Sequence, residues 1–325
     1  MHFKLRQLAH AVALCRFGSF RRAAEAEHIS QPALSRSIQS LEESLGVVLF
    51  DRHSTEIAPT AFGEALLARA GTILAEAEEL EREMQLLQGL DTGRLSVGMG
   101  LFAAELSGDP ALADLLKAHP KLRVSVRLRY WGELENAVLS REVDLGFGEV
   151  AHLKNSPELL VDPVGCHELV FFCRPGHPIL SRNSISVSDL DAYPLVCSPV
   201  RASDAERFPR NLRLDKSGTY AIPQIQVEDL TAMRAIVAET DTISFATPVQ
   251  LEHLLLGGEV AAIPFRASWL RLDYGFFYLA SRSPSPAAEA FMARVRNIER
   301  DLAERNRLLA EQLFGDLRIG LEPGV

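Results

Sequence analysis

Residues 30–46, SQPALSRSIQSLEESLG, constrain this chain more than any other stretch. The run reads as one short helix with marked ends. Ser30 is placed as an N-cap, whose hydroxyl can accept a hydrogen bond from an unpaired backbone N–H of the first turn. Pro32 falls in that first turn, where its missing N–H costs little. Gly46 stands where a helix can close in the left-handed conformation. Leu34, Ile38, Leu41 and Leu45 recur at helical spacing as a stripe to be buried. Gln31, Ser35, Arg36 and Gln39 project from the other side. Small or planar hydrogen-bonding side chains of this kind read base edges in a DNA major groove. They equally describe the solvated face of an ordinary amphipathic helix, and the flanking sequence has to separate the two.

Upstream, Leu5, Leu8, Val12 and Cys15 mark a first amphipathic helix ending near Gly18. Ser19 heads a second, FRRAAEAE, in which Ala23 and Ala24 permit close helix approach. His28-Ile29 form the turn into the Ser30 helix. Three short helices with a tight turn before a polar-faced third make a helix-turn-helix. Downstream, Val47–Phe50 and Glu56–Ala58 are expected to pair as a small hairpin, or wing. Arg52 on its rise suits a backbone phosphate better than a base edge. The net charge of −9 argues on its face against a nucleic-acid binder. Its distribution removes the objection. Residues 1–60 carry seven Lys and Arg against six Asp and Glu, residues 61–90 carry two against six, and the remainder holds −6. The acidity belongs to the other parts of the chain.

The run GSFRRAAEAEHISQPALSRSIQSLEESLGVVLFDR closely resembles the winged helix-turn-helix of the LysR-type transcriptional regulators. The Gly-Ser-Phe, the Ala-Ala pair, the Ser-Gln-Pro-Ala-Leu-Ser cap and helix, the Leu-Glu-x-x-Leu-Gly and the Leu-Phe-x-Arg all stand in order. The resemblance implies that Ser30, Gln31, Pro32, Ser35, Arg36 and Gln39 lie at or in the major groove, with Arg52 on the wing. Thr55 departs from the pattern, since such wings often carry a second basic residue there. The implied function is a sequence-specific DNA-binding regulator, not an enzyme, acting on a double-stranded operator. It would work as a dimer or a dimer of dimers, with RNA polymerase as a further candidate partner.

The expected domains follow from composition and period. Residues 1–60 form the winged helix-turn-helix. Pro59-Thr60 stops the wing and caps a linker helix over 61–92, where Leu66, Ala70, Ile73, Ala77, Leu80, Met84 and Leu87 make a heptad seam. The seam suits dimerisation, because a palindrome needs two reading heads at fixed spacing. A long helix packed on its own domain is the other reading. Residues 93–303 alternate strand-like and helical runs, which predicts parallel α/β sheets with right-handed crossovers. Two chain crossings, near Val164–His167 and Phe265–Leu272, imply two lobes with a cleft, as in periplasmic binding proteins. Lobe I takes about 93–164 and 268–303, and lobe II about 165–267. The fold class is therefore α/β: a winged helix-turn-helix, a long linker helix and a two-lobed, periplasmic-binding-protein-like effector domain. Residues 304–325 are left as a tail without a role.

Catalytic signatures fail individually. Gly98-Met99-Gly100-Leu101-Phe102-Ala103 fits GxGxxA after a strand, but the second strand ends Arg129-Tyr130 with no acid for a ribose. GxxxxGKS/T, GxSxG and HExxH are missing. Cys166, His167 and Cys173 lie along one expected strand, with His167 and Cys173 roughly 20 Å apart at strand rise, too far to share a metal. All four cysteines read as buried thiols, and no cofactor or metal is expected. Scattered cysteines, no signal peptide and no apolar run of membrane length point to the cytoplasm, with no membrane partner. A small-molecule effector would meet the strand tips. These are Phe102 and Ala103, Tyr130 and Trp131, Glu149, Arg201 and Ser203, and Thr247. Aromatic groups in place of the family's small hydroxyls favour a larger, flatter or less acidic ligand, and Glu149 disfavours a dianion. Phe102, Tyr130 and Trp131 can equally fill core or a lobe interface. A solute-binding or catalytic α/β protein with an accessory helix-turn-helix, or a winged domain that binds a protein partner, would use the same sequence differently.

Overall fold

Three amphipathic helices bury their stripes against one another at the N-terminal end of the chain: α1 (Leu5–Phe17), α2 (Phe20–Ala26) and α3 (Gln31–Leu45). Leu8, Leu14, Leu34, Ile38 and Leu41 lose all or nearly all their solvent exposure there. Gly18 and Gly46 adopt φ of 59° and 70°. Each donates its N–H to the carbonyl four residues back and closes its helix. Ser30 has the extended backbone of an N-cap, but its hydroxyl makes no capping bond. It is exposed, so water can serve the orphan N–H groups of that turn. The computed structural model describes residues 3–51, 57–88, 93–153, 156–210 and 212–315. The chain divides into two compact units, residues 1–87 and 88–325.

The wing is shorter than expected and shifted. Its strands are β1 (Phe50–Asp51) and β2 (Ala58–Pro59), antiparallel, with Phe50 opposite Pro59. The backbone before β1 is already engaged. The Glu42 carboxylate accepts the N–H groups of Leu49 (2.7 Å) and Phe50 (3.3 Å). Thr60 donates its N–H to the Leu49 carbonyl (2.9 Å) and its hydroxyl to that of Val48 (2.7 Å). Arg52, Thr55 and Glu56 lie outside the described residues. Thr60 also accepts the Gly63 N–H at 3.1 Å and so starts helix α4 (Ala61–Gln88). A Cβ on Gly63 would stand 2.1 Å from the Leu49 carbonyl oxygen, which is why the first turn of α4 can lie against the wing only with glycine there.

In the second unit the strands and helices run β3 (Arg94–Met99), α5 (Leu101–Ala103), a π turn at Ala104–Gly108, α6 (Asp109–Ala118), β4 (Arg123–Leu128), α7 (Trp131–Leu139) and β5 (Leu145–Glu149). Then β6 (Leu159–Glu168) leads out of the first lobe. Lobe II contains β7 (Val170–Cys173), α8 (Val187–Leu190), β8 (Val196–Cys197), β9 (Val200–Arg201), β10 (Arg213–Leu214), β11 (Tyr220–Ile222), β12 (Ile225–Gln226), α9 (Leu230–Glu239), β13 (Ser244–Ala246), α10 (Pro248–Gly257) and β14 (Ala261–Ala262). The chain returns through β15 (Arg271–Leu279) and ends its described part in α11 (Pro286–Phe314).

The sheets are mixed, not parallel as expected. Lobe I is one five-stranded sheet in the order β4-β3-β5-β15-β6. Only β3–β4 and β3–β5, joined by helical crossovers, are parallel. The outgoing β6 and returning β15 pair antiparallel, with a bulge between Tyr274 and Gly275. In lobe II, β7 lies antiparallel between β13 and β14, β8 pairs β12 in parallel, and β10-β11-β9 form an antiparallel ribbon that alternation did not foretell. The two crossing segments are tied where they leave lobe I, by the Leu169 N–H donating to the Leu270 carbonyl at 2.9 Å.

Of the stretch left without a role, residues 304–314 are structural, and 316–325 lie outside the described residues. Helix α11 continues through Phe314, and Asn306, Ala310 and Phe314 are buried. Asn306 accepts the Val249 N–H of α10 (3.2 Å) and donates to the Glu168 carbonyl at the end of β6 (3.1 Å). Arg266 lies over the Phe314 ring, 5.8 Å from its centroid. The first half of α11 packs on α6 and β6, and the second half on α10, so one helix spans both lobes. No helix among the described residues is long and apolar enough to cross a membrane.

Candidate functional site

Helix α3 presents one polar face. Ser30, Gln31, Pro32, Arg36 and Gln39 are exposed and Ser35 is half-buried. Arg36 has no acidic partner among the described residues. Gln39 donates from Nε2 to Glu43 Oε1 at 3.0 Å. The roll of the helix is fixed from behind, where His10 Nδ1 meets Ser37 Oγ at 2.6 Å across α1 and α3. Burial lowers the His10 pKa from its ordinary value, with Glu27 opposing and Arg6 adding to the shift. The buried ring is therefore held neutral at pH 7.

Helix α4 carries its apolar residues in two ways. Leu66 is half-buried against the core of the helical bundle, and Ala70 is fully buried. Beyond them Ile73, Leu80 and Met84 are 40%, 58% and 44% exposed. Spaced by seven and four, they share one stripe of the helix. The side chain of Leu87 lies outside the described residues.

In the second unit a cavity of about 460 Å³ opens between the lobes. That is within the usual range for small-molecule sites. Lobe I contributes Phe102, Ala103, Tyr130 and Glu149, and lobe II contributes Arg201, Arg207, Phe208 and Phe245. Trp269 and Arg271 stand on the returning crossover. The walls are aromatic. Phe102 stacks on Phe245 at 6.0 Å across the cleft, and Phe208 lies 5.2 Å from both Phe245 and Trp269. The rims are bridged as well. Glu149 pairs with Arg201 at 3.3 Å, Glu105 pairs with Arg234, and Tyr130 meets Tyr220 edge-on at 5.6 Å. A Cβ on Gly132 would collide with the Tyr220 hydroxyl. Burial raises Tyr130 to about 12, helped by Glu133, so its hydroxyl stays protonated.

Two expected effector residues lie outside the cleft. Thr247 is fully buried as the N-cap of α10, accepting the Gln250 N–H at 3.3 Å, and does not line the cleft. Strand β13 ends one residue earlier, so a tip by sequence becomes a helix cap in space. Ser203 is exposed and also outside the lining. Arg201 lines the cleft as expected, where it pairs with Glu149 and with Asp204 at 2.9 Å. Trp131 opens α7, and its side chain lies outside the described residues. Sequence reasoning missed Arg207, Phe208, Phe245 and Trp269. Phe208 and Trp269 sit in loops with no period to mark them, while Phe245 looks like any strand apolar residue.

The enzymatic lures resolve into packing. A Cβ on Gly98 would meet Leu134 of α7 at 2.4 Å, and one on Gly100 would touch Gly148 of β5 at 3.5 Å. These glycines bring helix and strand close. His167 Nε2 meets Glu299 Oε2 (2.9 Å) and the Tyr274 hydroxyl (2.7 Å), joining β6, β15 and α11 in a buried contact. Burial pushes the Glu299 carboxyl up, but the hydrogen bond to His167 and the nearby hydroxyls outweigh it and hold it below its usual range. Cys15 and Cys166 are exposed, contrary to expectation, and only Cys173 and Cys197 are buried. Cys166 and Cys173 sit on successive strands, β6 and β7. Although the residue is exposed, desolvation of the Cys166 thiol beside Asp273 raises it to about 11, and burial raises Cys173 to about 12, so neither is a thiolate nucleophile at neutral pH. The described residues hold no cluster of three or more metal-ligating side chains.

Comparison with known proteins agrees with both units. Residues 5–64 match the family described as bacterial regulatory helix-turn-helix protein, lysR family. Residues 88–298 match the LysR substrate binding domain. The SDS degradation transcriptional activation protein of Pseudomonas sp. is 37% identical over 290 residues, 88% of this chain and 93% of that protein. The HTH-type transcriptional regulator GbpR of Azospirillum brasilense is 28% identical over 296 residues, 90% and 86% of the two chains. The full-length structure of the Vibrio cholerae virulence activator AphB covers 91% of this chain and 99% of its own with a TM-score of 0.56. At 16% identity it shows a shared fold.

Proposed function

The chain belongs to the LysR family of transcriptional regulators, and from that premise we propose how its parts divide the work. Arg36, Gln31 and Gln39 read bases in the major groove, and the exposed N-terminal turn of α3 at Ser30 and Pro32 lies against the phosphates. Arg52 adds a phosphate contact from the wing. The observation that carries this reading is the α3 face: one exposed arginine with no acidic partner among the described residues and two exposed glutamines, on a helix whose roll the His10–Ser37 bond fixes. Ile73, Leu80 and Met84 meet their counterparts on a second copy, which spaces two reading heads for a palindrome. A dimer of dimers, an approach to RNA polymerase and a place beside the DNA in the cytoplasm complete the reading.

The cleft is the effector site. The contacts that bridge its rims give the two lobes a closed arrangement to leave or to hold. An effector acts by preferring one arrangement, and it can shift the balance only by its differential affinity. The roles on DNA separate by mutation. Arg36→Ala removes a base contact, about 1–3 kcal/mol of discrimination, and leaves affinity for random duplex nearly unchanged. Arg52→Ala weakens cognate and random duplex alike and lowers the salt slope by about one. Fluorescence anisotropy with both duplexes reads the difference. Equal effects of both variants on both duplexes would sink the assignment.

A further inference from the structure

We propose that the cleft takes a mono-anionic amphiphile: a carboxylate or sulfate head at Arg207 and an alkyl or aryl tail among Phe102, Phe208, Phe245 and Trp269. This rests on the reading of the cleft as the effector site and adds the chemical class of the ligand.

Charge sets the head. The arginines that line the cavity are compensated, with one exception. Arg201 is held by Glu149 at 3.3 Å and Asp204 at 2.9 Å. Arg271 pairs with Asp273 at 2.9 Å. Arg129 faces Glu142 at 3.5 Å and Glu133 at 3.7 Å. Arg207 alone of the lining arginines has no carboxylate partner among the described residues. One unneutralised guanidinium suits one negative charge, and its planar fork fits a carboxylate or a sulfate equally. A second negative charge on the ligand would lie near Glu149 or Asp204, both already committed.

Shape sets the tail. Arg207 closes a short 3-10 turn, and the next residue, Phe208, enters the aromatic wall with Phe245 and Trp269 each 5.2 Å away. Head and tail sites are thus adjacent in the chain. Phe102 extends the wall across the cleft through its stack on Phe245. A small polar acid would leave these rings against water, whereas an alkyl chain or aryl ring would cover them.

Titration calorimetry of the full-length chain tests the proposal with octanoate, octyl sulfate below its micelle concentration, octanol and adipate. Octanoate or octyl sulfate should bind one per chain, and whichever binds tighter identifies the head. Hexanoate should bind about ten-fold more weakly than octanoate for the loss of two methylenes. Octanol should bind at least about ten-fold more weakly than the octyl anion. Arg207→Gln should abolish the preference for the anion over octanol while leaving the thermal midpoint of the unliganded protein in place, since the residue is exposed. Octanol binding as tightly as the anions, adipate binding more tightly than octanoate, an unaltered preference in Arg207→Gln, or no binding by any probe would each overturn the amphiphile. Tight adipate binding would leave the effector cleft itself standing. Octanoate binding unchanged in Phe208→Ala would place the ligand elsewhere and overturn the cleft reading as well.

Discussion

His10 shows how one side chain couples chemistry to the reading face. Its buried ring supports α3 through Ser37, and burial lowers its pKa below the ordinary 6.5. A histidine with a depressed folded-state pKa favours the fold fully while neutral. The helix-turn-helix unit should therefore keep its stability above about pH 6.5 and lose it progressively as the pH falls toward the folded pKa. Thermal melts at pH 7.5 and 5.5 measure this, and His10→Asn should flatten the dependence. The sequence marked His10 as nothing special, because a histidine on an apolar stripe carries no periodic signal of its partner. Arg36 and Gln39 were legible, since helical spacing alone puts them opposite Leu34 and Ile38. Arg207 and Trp269 were not, because loops have no period and only the fold brings them to one wall. Thr247 misled for a related reason. A hydroxyl at a strand end is an effector candidate or a helix cap, and the choice depends on where the strand stops.

At the scale of elements, helix α4 and helix α11 carry the next two predictions. The exposed Ile73, Leu80 and Met84 make a stripe that water disfavours. Leu80→Glu places a charge in the proposed seam and should convert the dimer to monomer by sedimentation, leaving the helical signal unchanged. A dimer that persists would return α4 to the reading of a helix packed on its own domain. Asn306 joins α11 to α10 and to the end of β6 through both ends of its amide. Asn306→Ala leaves a buried N–H and a carbonyl without partners and should cost about 1–3 kcal/mol in chemical denaturation. The helices α3, α9 and α10 follow from period and capping in the sequence. The sheet directions do not. Alternating strands and helices predict crossovers, and a crossover makes a pair parallel, but β6 and β15 are joined through the whole of lobe II and pair antiparallel as the chain leaves lobe I and returns. The reach of α11 was missed because residues 304–314 mix charge with a sparse apolar spacing, Asn306, Ala310 and Phe314, that reads as a tail until its partner surface is in view.

For the whole molecule, an acidic chain reads DNA by segregating its charge. The N-terminal 60 residues are the part that is not acidic. The remainder is free to be acidic because the task proposed for it is to hold a small molecule between lobes that α11 straps together. Binding should therefore show the salt dependence of a few phosphate contacts per head, with specificity resting on α3. The most direct test is a gel-shift titration of the purified chain on duplex from its own upstream region, at two salt concentrations, with random duplex as competitor. The account predicts a complex that survives excess random duplex and weakens as salt rises. No complex at either salt from a folded dimer would contradict it.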